Sequence, residues 1–271
     1  MQAKVVHCLL FLLFILLSQS QVHGQQIGIP VEPLEDGPWV FDTAEQHRIK
    51  VSIIARGMSH PWAIAFLPNG DMLVTEREGR LRLVQNDRLI EEPIAGVPSV
   101  RTEGNGGLMD VAIHPGFLEN QLVYLTYTKP VEKGWGAPAL AVGRLDNGVL
   151  VNTRDILVTE AYEGNSGLNG RVAFGPDGKV YMSTGGRIGE VAQDSMSLRG
   201  KVLRLEDDGG IPVDNPFRNR LNYRQENFTL GHRNTLALIQ HPITGEIWPV
   251  SYTHLRAHET VLDLVCRLLL E

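Results

Sequence analysis

Residues 61–75 read Pro61-Trp-Ala-Ile-Ala-Phe-Leu-Pro-Asn-Gly-Asp-Met-Leu-Val-Thr75. Two short apolar runs flank a Pro-Asn-Gly-Asp turn. Asn69-Gly70 supplies the positive φ that a tight hairpin needs, and the flanks are rich in β-forming residues, so the stretch predicts a β-hairpin. The same plan returns at Leu108-Met-Asp-Val-Ala-Ile-His-Pro-Gly-Phe117, which runs on to Leu122-Val-Tyr-Leu-Thr126. It returns again at Arg171-Val-Ala-Phe-Gly-Pro-Asp-Gly-Lys-Val-Tyr-Met-Ser-Thr184 and at Leu236-Ala-Leu-Ile-Gln-His-Pro-Ile-Thr-Gly-Glu-Ile-Trp248. The turn prolines are Pro68, Pro115, Pro176 and Pro242. Their spacing equals or exceeds the roughly 40–50 residues of one β-propeller repeat, and insertions fill the longer gaps.

Two further runs follow hairpins: Arg80-Leu-Arg-Leu-Val84 and Lys201-Val-Leu-Arg-Leu205. Both alternate basic and apolar residues, which predicts outer strands with one wet face. No helical period of useful length appears. A four-stranded blade cannot bury both faces alone, because it needs neighbours and the ring needs closure. Four copies therefore predict an all-β fold, a propeller cut short. A complete four-bladed propeller and a β-sandwich are the alternatives.

Composition agrees with a globular chain, at 43% hydrophobic and 21% charged over 271 residues. A net charge of −6 argues against a nucleic-acid groove, since phosphate binding runs on an excess of Lys and Arg. The two cysteines, Cys8 and Cys266, lie at opposite ends and give no disulfide framework. Lys4, the apolar run Cys8–Leu17 and the exit Val22-His23-Gly24 read as a secretory signal over residues 1–24. The run is too short to span a bilayer, so the mature chain is expected in the periplasm or outside the cell. From Val250 the character changes. Val250-Ser-Tyr-Thr-His-Leu-Arg-Ala-His-Glu-Thr260 is the translation of a transposase-type sequencing adapter. Residues 250–271 are therefore expected to be an artefact behind a fragment end, and His254, His258, Glu259 and Cys266 to have no function. The propeller domain is residues 25–249.

Several segments, taken in order, resemble the soluble glucose and sorbosone dehydrogenase family. They are residues 60–77, Gly104-Asn-Gly-Gly-Leu-Met-Asp-Val-Ala-Ile-His-Pro-Gly-Phe117, Gly170–Gly178, Gly200–Leu205 with Ile211-Pro-Val-Asp-Asn-Pro-Phe217, and Leu230-Gly-His-Arg-Asn234. The resemblance implies a six-bladed propeller, of which about four blades are present. It implies the cofactor pyrroloquinoline quinone (PQQ), calcium, a small sugar substrate and an external electron acceptor. The implied reaction moves a hydride from a hydroxyl-bearing sugar carbon to the quinone. It calls for a base, a cation facing the developing oxyanion, and cofactor contacts.

Residue by residue, the resemblance makes Arg233 the cation and Asn234 a cofactor contact. Asn105 stands where the family has a glutamine contact, and Leu236 replaces another. The family's base, a histidine four residues before Arg171, is here Gly167. The aspartate of a Thr-Gly-Asp-Arg stretch is Gly186. Glu163 is a substitute base by proximity in sequence only. His114 and His232 read as structural hydrogen-bonders, and Asn227-Phe-Thr229 fits a glycosylation pattern. The family's calcium loop would fall beyond Pro249. The two glycines support a rival reading, a non-catalytic propeller binding a saccharide or a protein. A calcium-dependent lactone hydrolase would need acidic and Asn ligands facing a channel, and no such cluster is legible.

Overall fold

The computed structural model describes residues 36–251, apart from 133, 169, 187 and 188. The proposed signal at 1–24 and all of 250–271 except Val250 and Ser251 lie outside these residues. The chain divides into two units, residues 1–53 and residues 54–271. In the first, β1 (Trp39–Phe41) pairs antiparallel with β2 (Ile49–Val51).

The second unit is a series of antiparallel sheets. Sheet 1 is β3 (Pro61–Phe66), β4 (Met72–Glu76), β5 (Arg80–Gln85) and β6 (Arg88–Leu89), in chain order. Gly70 turns the first hairpin at φ +88°, as the Asn-Gly pair predicts. Sheet 2 is β7 (Leu108–Ile113), β8 (Leu122–Pro130), β9 (Trp135–Asp146) and β10 (Val149–Val158). A short strand, β11 (Tyr162–Glu163), adds to β9, and one helical turn, α1 (Phe117–Asn120), precedes β8. Sheet 3 is β12 (Gly170–Phe174), β13 (Val180–Thr184), β14 (Lys201–Leu205) and β15 (Asn227–Leu230). The fourth repeat is a hairpin, β16 (Thr235–Gln240) with β17 (Ile247–Ser251). Three full sheets and a hairpin are thus present among the described residues, and they form an open row. β3 lies beside β7, β7 beside β12, and β12 beside β16.

The core sits between sheets. On β8, Val123, Leu125 and Tyr127 pack toward sheet 1, while Tyr124 packs toward sheet 3. On β9, Ala139 and Ala141 face one side, and Leu140 and Val142 the other. A sheet buried on both faces needs apolar residues at every position, which is why these strands read as unbroken apolar runs.

A hydroxyl clasp joins successive sheets. At the kinked start of each first strand, a hydroxyl on the second strand accepts a backbone N–H: Thr75 from Ala63 (3.1 Å), Thr126 from Asp110 (2.9 Å) and Ser183 from Arg171 (3.1 Å). Thr75 and Thr126 then donate to the next sheet, at Met109 O (2.5 Å) and Gly170 O (3.0 Å). In the fourth repeat the partner of Ala237 is Val250, which has no hydroxyl.

The expected wet faces are not there. β5 and β14 are third strands with a further strand beyond them, and Arg82, Lys201 and Arg204 are buried. Each cation finds fixed acceptors. Lys201 Nζ donates to Val191 O (2.9 Å), Ala192 O (3.0 Å) and Arg199 O (2.6 Å). Arg204 grips Asp177 (2.8 Å) and Asp214 (2.9 Å), and Arg82 donates to Ile90 O (3.0 Å) and Glu91 O (3.1 Å). Asn227 is also buried, with Nδ2 on Ser195 O (3.1 Å) and Ser197 O (3.3 Å), so it does not present its amide to a glycosyl group.

Candidate functional site

The starts of the four first strands converge on one cleft of about 480 Å³. That lies within the roughly 300–1,000 Å³ typical of small-molecule sites. His60, Pro61 and Trp62 come from the start of β3, and Arg77 from the end of β4. Gly104 and Asn105 come from the loop before β7. Gly170 and Arg171 open β12, and Asn234, Thr235 and Leu236 open β16. The clasps described above fix the starts of β3, β7 and β12, so the fold's repeat positions these parts of the site.

Positive charge dominates the lining, and among the described residues no carboxylate lines the cleft. Arg171 Nε donates to Leu236 O (2.8 Å), and its guanidinium carbon stands 5.7 Å from the centre of the Trp62 ring. Its Nη1 lies 3.7 Å from Asp110 Oδ1, behind the wall. Burial raises the Asp110 carboxyl above its ordinary range, although the Val172 N–H and Arg171 oppose the shift. Arg77 ties down the loop carbonyls of Gly106 (3.0 Å), Thr102 (2.7 Å) and Gly104. His60 sits at φ +46°, and its Nδ1 lies 3.4 Å from Glu78 Oε1. Two cations, an imidazole, two amides and an indole face suit a flat anionic ligand rich in acceptor oxygens.

The sequence-based candidates fall into two groups. Asn105 and Asn234 line the cleft, and both are fixed through their backbone: Asn105 N–H donates to Asn165 O (2.8 Å) and Asn234 N–H to Ser251 Oγ (3.1 Å). Leu236 lines it too, presenting an apolar side chain where the resemblance expects a glutamine. Arg233 precedes Asn234 and is half-buried, and its carbonyl accepts the Gly186 N–H at 2.8 Å. It is not among the residues lining the cleft.

The two glycines are structural in their own right. Gly167 is buried at φ +77°, and its carbonyl accepts the Tyr162 hydroxyl. Burial pushes that phenol up to about 12, and Arg199 lies over its ring at 3.6 Å. At Gly186 an added Cβ would stand 2.6 Å from Gly200 Cα and 3.1 Å from His232 O. Glu163 is exposed on β11, away from the cleft. His114 is held by Gly116 N–H (2.9 Å) and Asn120 (2.8 Å) against the edge of Phe174, and His232 is buried on Thr229 (2.7 Å).

His60, Trp62, Arg77 and Arg171 were not singled out as site residues from the sequence. The signal was present: His60, Trp62 and Arg171 stand at the starts of repeat copies, and repeat starts meet in space. The calcium loop that the resemblance implies would fall beyond Pro249. Among the described residues no three His, Cys, Asp or Glu side chains are grouped so as to hold a metal ion. Nor is any described helix long and apolar enough to cross a membrane.

Comparison with known proteins identifies the family. Residues 58–254 match the family model described as glucose/sorbosone dehydrogenase. An uncharacterized protein of Synechocystis is 36% identical over 77% of this chain and 55% of its own length. The aldose sugar dehydrogenase YliI of Escherichia coli is 34% identical over 81% of this chain and 60% of its own. The PQQ-bound aldose sugar dehydrogenase of Streptomyces coelicolor superposes with a TM-score of 0.62 at 27% identity, over 73% of this chain and 58% of that one. The chain thus spans little more than half the length of these relatives. It belongs to the glucose/sorbosone dehydrogenase family.

Proposed function

We propose that this chain is a quinoprotein-type aldose dehydrogenase whose cleft at the starts of β3, β7, β12 and β16 holds PQQ. The observation that carries the reading is the lining: Asn105 and Asn234 face the same space as Arg77, Arg171 and the Trp62 ring, with no carboxylate among them. PQQ is a flat tricyclic o-quinone with three carboxylates, so the donor set fits it. When bound, it supplies a two-electron acceptor for a hydride from the sugar carbon. The chain's residues do the rest. Asn105 and Asn234 would offer the quinone amide N–H donors. Arg171 and Arg77 offset its negative charge, and Trp62 gives it a flat wall. The resemblance gives the oxyanion role to Arg233, beside Asn234; Arg171 and Arg77, which line the cleft, are the cations that would meet that charge. An external electron acceptor regenerates the oxidised cofactor. Calcium, by the resemblance, would be held by a loop beyond Pro249.

The sheets act as blades of a six-bladed propeller, of which about four are represented. The chain acts after export, in the periplasm or outside the cell, without residues 1–24. The non-catalytic reading rested on Gly167 and Gly186; the relatives' printed activities do not favour it. The test is direct. The full-length native gene product, reconstituted with PQQ and calcium, is assayed for dye reduction with a panel of aldoses. Aldose-dependent, PQQ-dependent reduction is expected. Absence of both PQQ binding and dye reduction overturns the proposal.

A further inference from the structure

The Gly167 position cannot supply a base, so a sugar oxidation in this cleft must draw its proton acceptor from elsewhere. Among the described residues, His60 is the one histidine lining the cleft. It stands in the left-handed region at φ +46°, where a residue other than glycine is uncommon and costs energy. Its carbonyl accepts the Arg77 N–H at 3.1 Å, which pins the backbone at the cleft wall. The ring is oriented as well as placed. Nδ1 lies 3.1 Å from Ser59 Oγ and 3.4 Å from Glu78 Oε1, and Ser59 Oγ also donates to that same oxygen at 3.3 Å. Arg80 Nη2 holds the other carboxylate oxygen of Glu78 at 2.5 Å. The Arg80 hydrogen bond keeps the Glu78 carboxyl below its ordinary range, so it stays an anion facing Nδ1. A histidine whose Nδ1–H faces a fixed carboxylate presents a basic Nε2 on its far side.

We infer that His60 is the general base of the sugar oxidation, held in its working tautomer by the Ser59 hydroxyl, which Glu78 orients. This rests on the function proposed above. In the step, the sugar hydroxyl gives its proton to His60 Nε2. The C–H bond breaks with its electron pair leaving as hydride for the quinone, and the C–O bond becomes C=O. The sugar loses two electrons, the quinone gains them, and the imidazolium returns its proton to solvent. The charged groups around the ring are Glu78, Glu76, Arg80 and Arg77 on its own sheet, with Arg171 from β12 lining the same cleft.

Glycine accepts φ +46° without strain, so His60→Gly keeps the turn and removes only the ring. Wild type and His60→Gly are compared for PQQ binding, sugar-dependent reduction of bound PQQ, its pH profile, and rescue by added imidazole. The expected result is PQQ affinity unchanged within about threefold. Reduction falls by roughly 10²- to 10⁴-fold, the size of a positioned base's contribution. The wild-type rise with pH disappears, and imidazole restores part of the rate. In the cofactor-free chain, nitrogen–proton correlation should show His60 protonated on Nδ1. Undiminished reduction in His60→Gly, a fall that imidazole does not relieve, or a ring protonated on Nε2 overturns this inference and leaves the proposed function standing. Failure of wild type to bind PQQ overturns the proposed function, and this inference with it.

Discussion

Gly186 stands where the family resemblance expects an aspartate, and its surroundings explain why the exchange is not a simple loss. An added Cβ would press on Gly200 Cα at 2.6 Å, so the two loops have closed on each other. Gly186→Asp should therefore destabilise the chain by about 1–3 kcal/mol, the usual cost of overpacking. Urea denaturation reads this as a lower midpoint at constant slope. An unchanged midpoint would contradict the close approach. Asn105 and Asn234 were legible in the sequence because they sit within ordered motifs. His60 was not legible as a cleft residue, because it lies far from Arg171 along the chain. Only the convergence of strand starts brings His60 to the cleft that Arg171 also lines.

At the scale of elements, the hydroxyl clasp carries the register between sheets. Thr126→Val removes two bonds, leaving the Asp110 N–H and the Gly170 carbonyl unpaired. Each buried orphan costs about 1–3 kcal/mol, so the variant should lose at least that much in calorimetric or urea stability. A neutral result would show that the clasp is incidental. The hairpins were legible from Asn69-Gly70 and Asp177-Gly178, because the turn chemistry is local. The burial of Lys201 and Arg204 was not. Alternation of basic and apolar residues looks like a wet face unless the partners are known, and these come from loops at 191–199 and 214–215. Burial pushes the Lys201 ammonium down to about 8 from 10.5. Between those values the unfolded chain holds a proton that the folded chain has lost. Stability should therefore rise with pH across that window, by at most about 1.4 kcal/mol per unit. Lys201→Met should lack this rise. Parallel slopes for the two proteins between about pH 8 and 10 would contradict it.

At the scale of the molecule, both ends of the row of sheets expose apolar side chains. Trp62, Ile64 and Phe66 on β3 are 37%, 56% and 68% exposed, and Leu236, Ile239 and Val250 at the other end are about half exposed. In the proposed six-bladed ring these faces meet further blades. On its own, the 271-residue chain should self-associate. Replacing Ile64 and Phe66 by lysine should lower light scattering at a given concentration, and a monomeric wild-type chain with a sharp cooperative melt would contradict the account. The all-β class and the repeat were legible because each copy carries its own turn and apolar pattern. The third strands of sheets 1 and 3 were legible at 80–84 and 201–205, but the third strand of sheet 2 and the fourth strands were not, because insertions between copies hide them.

The central claim is that the cleft shared by Asn105 and Asn234 holds the quinone. Titration of PQQ into the chain, followed by calorimetry, tests it most directly. The account predicts saturable single-site binding, weakened about tenfold or more, or roughly 1.4 kcal/mol, by Asn234→Ala. No binding to the folded chain, or equal binding by the variant, would contradict it.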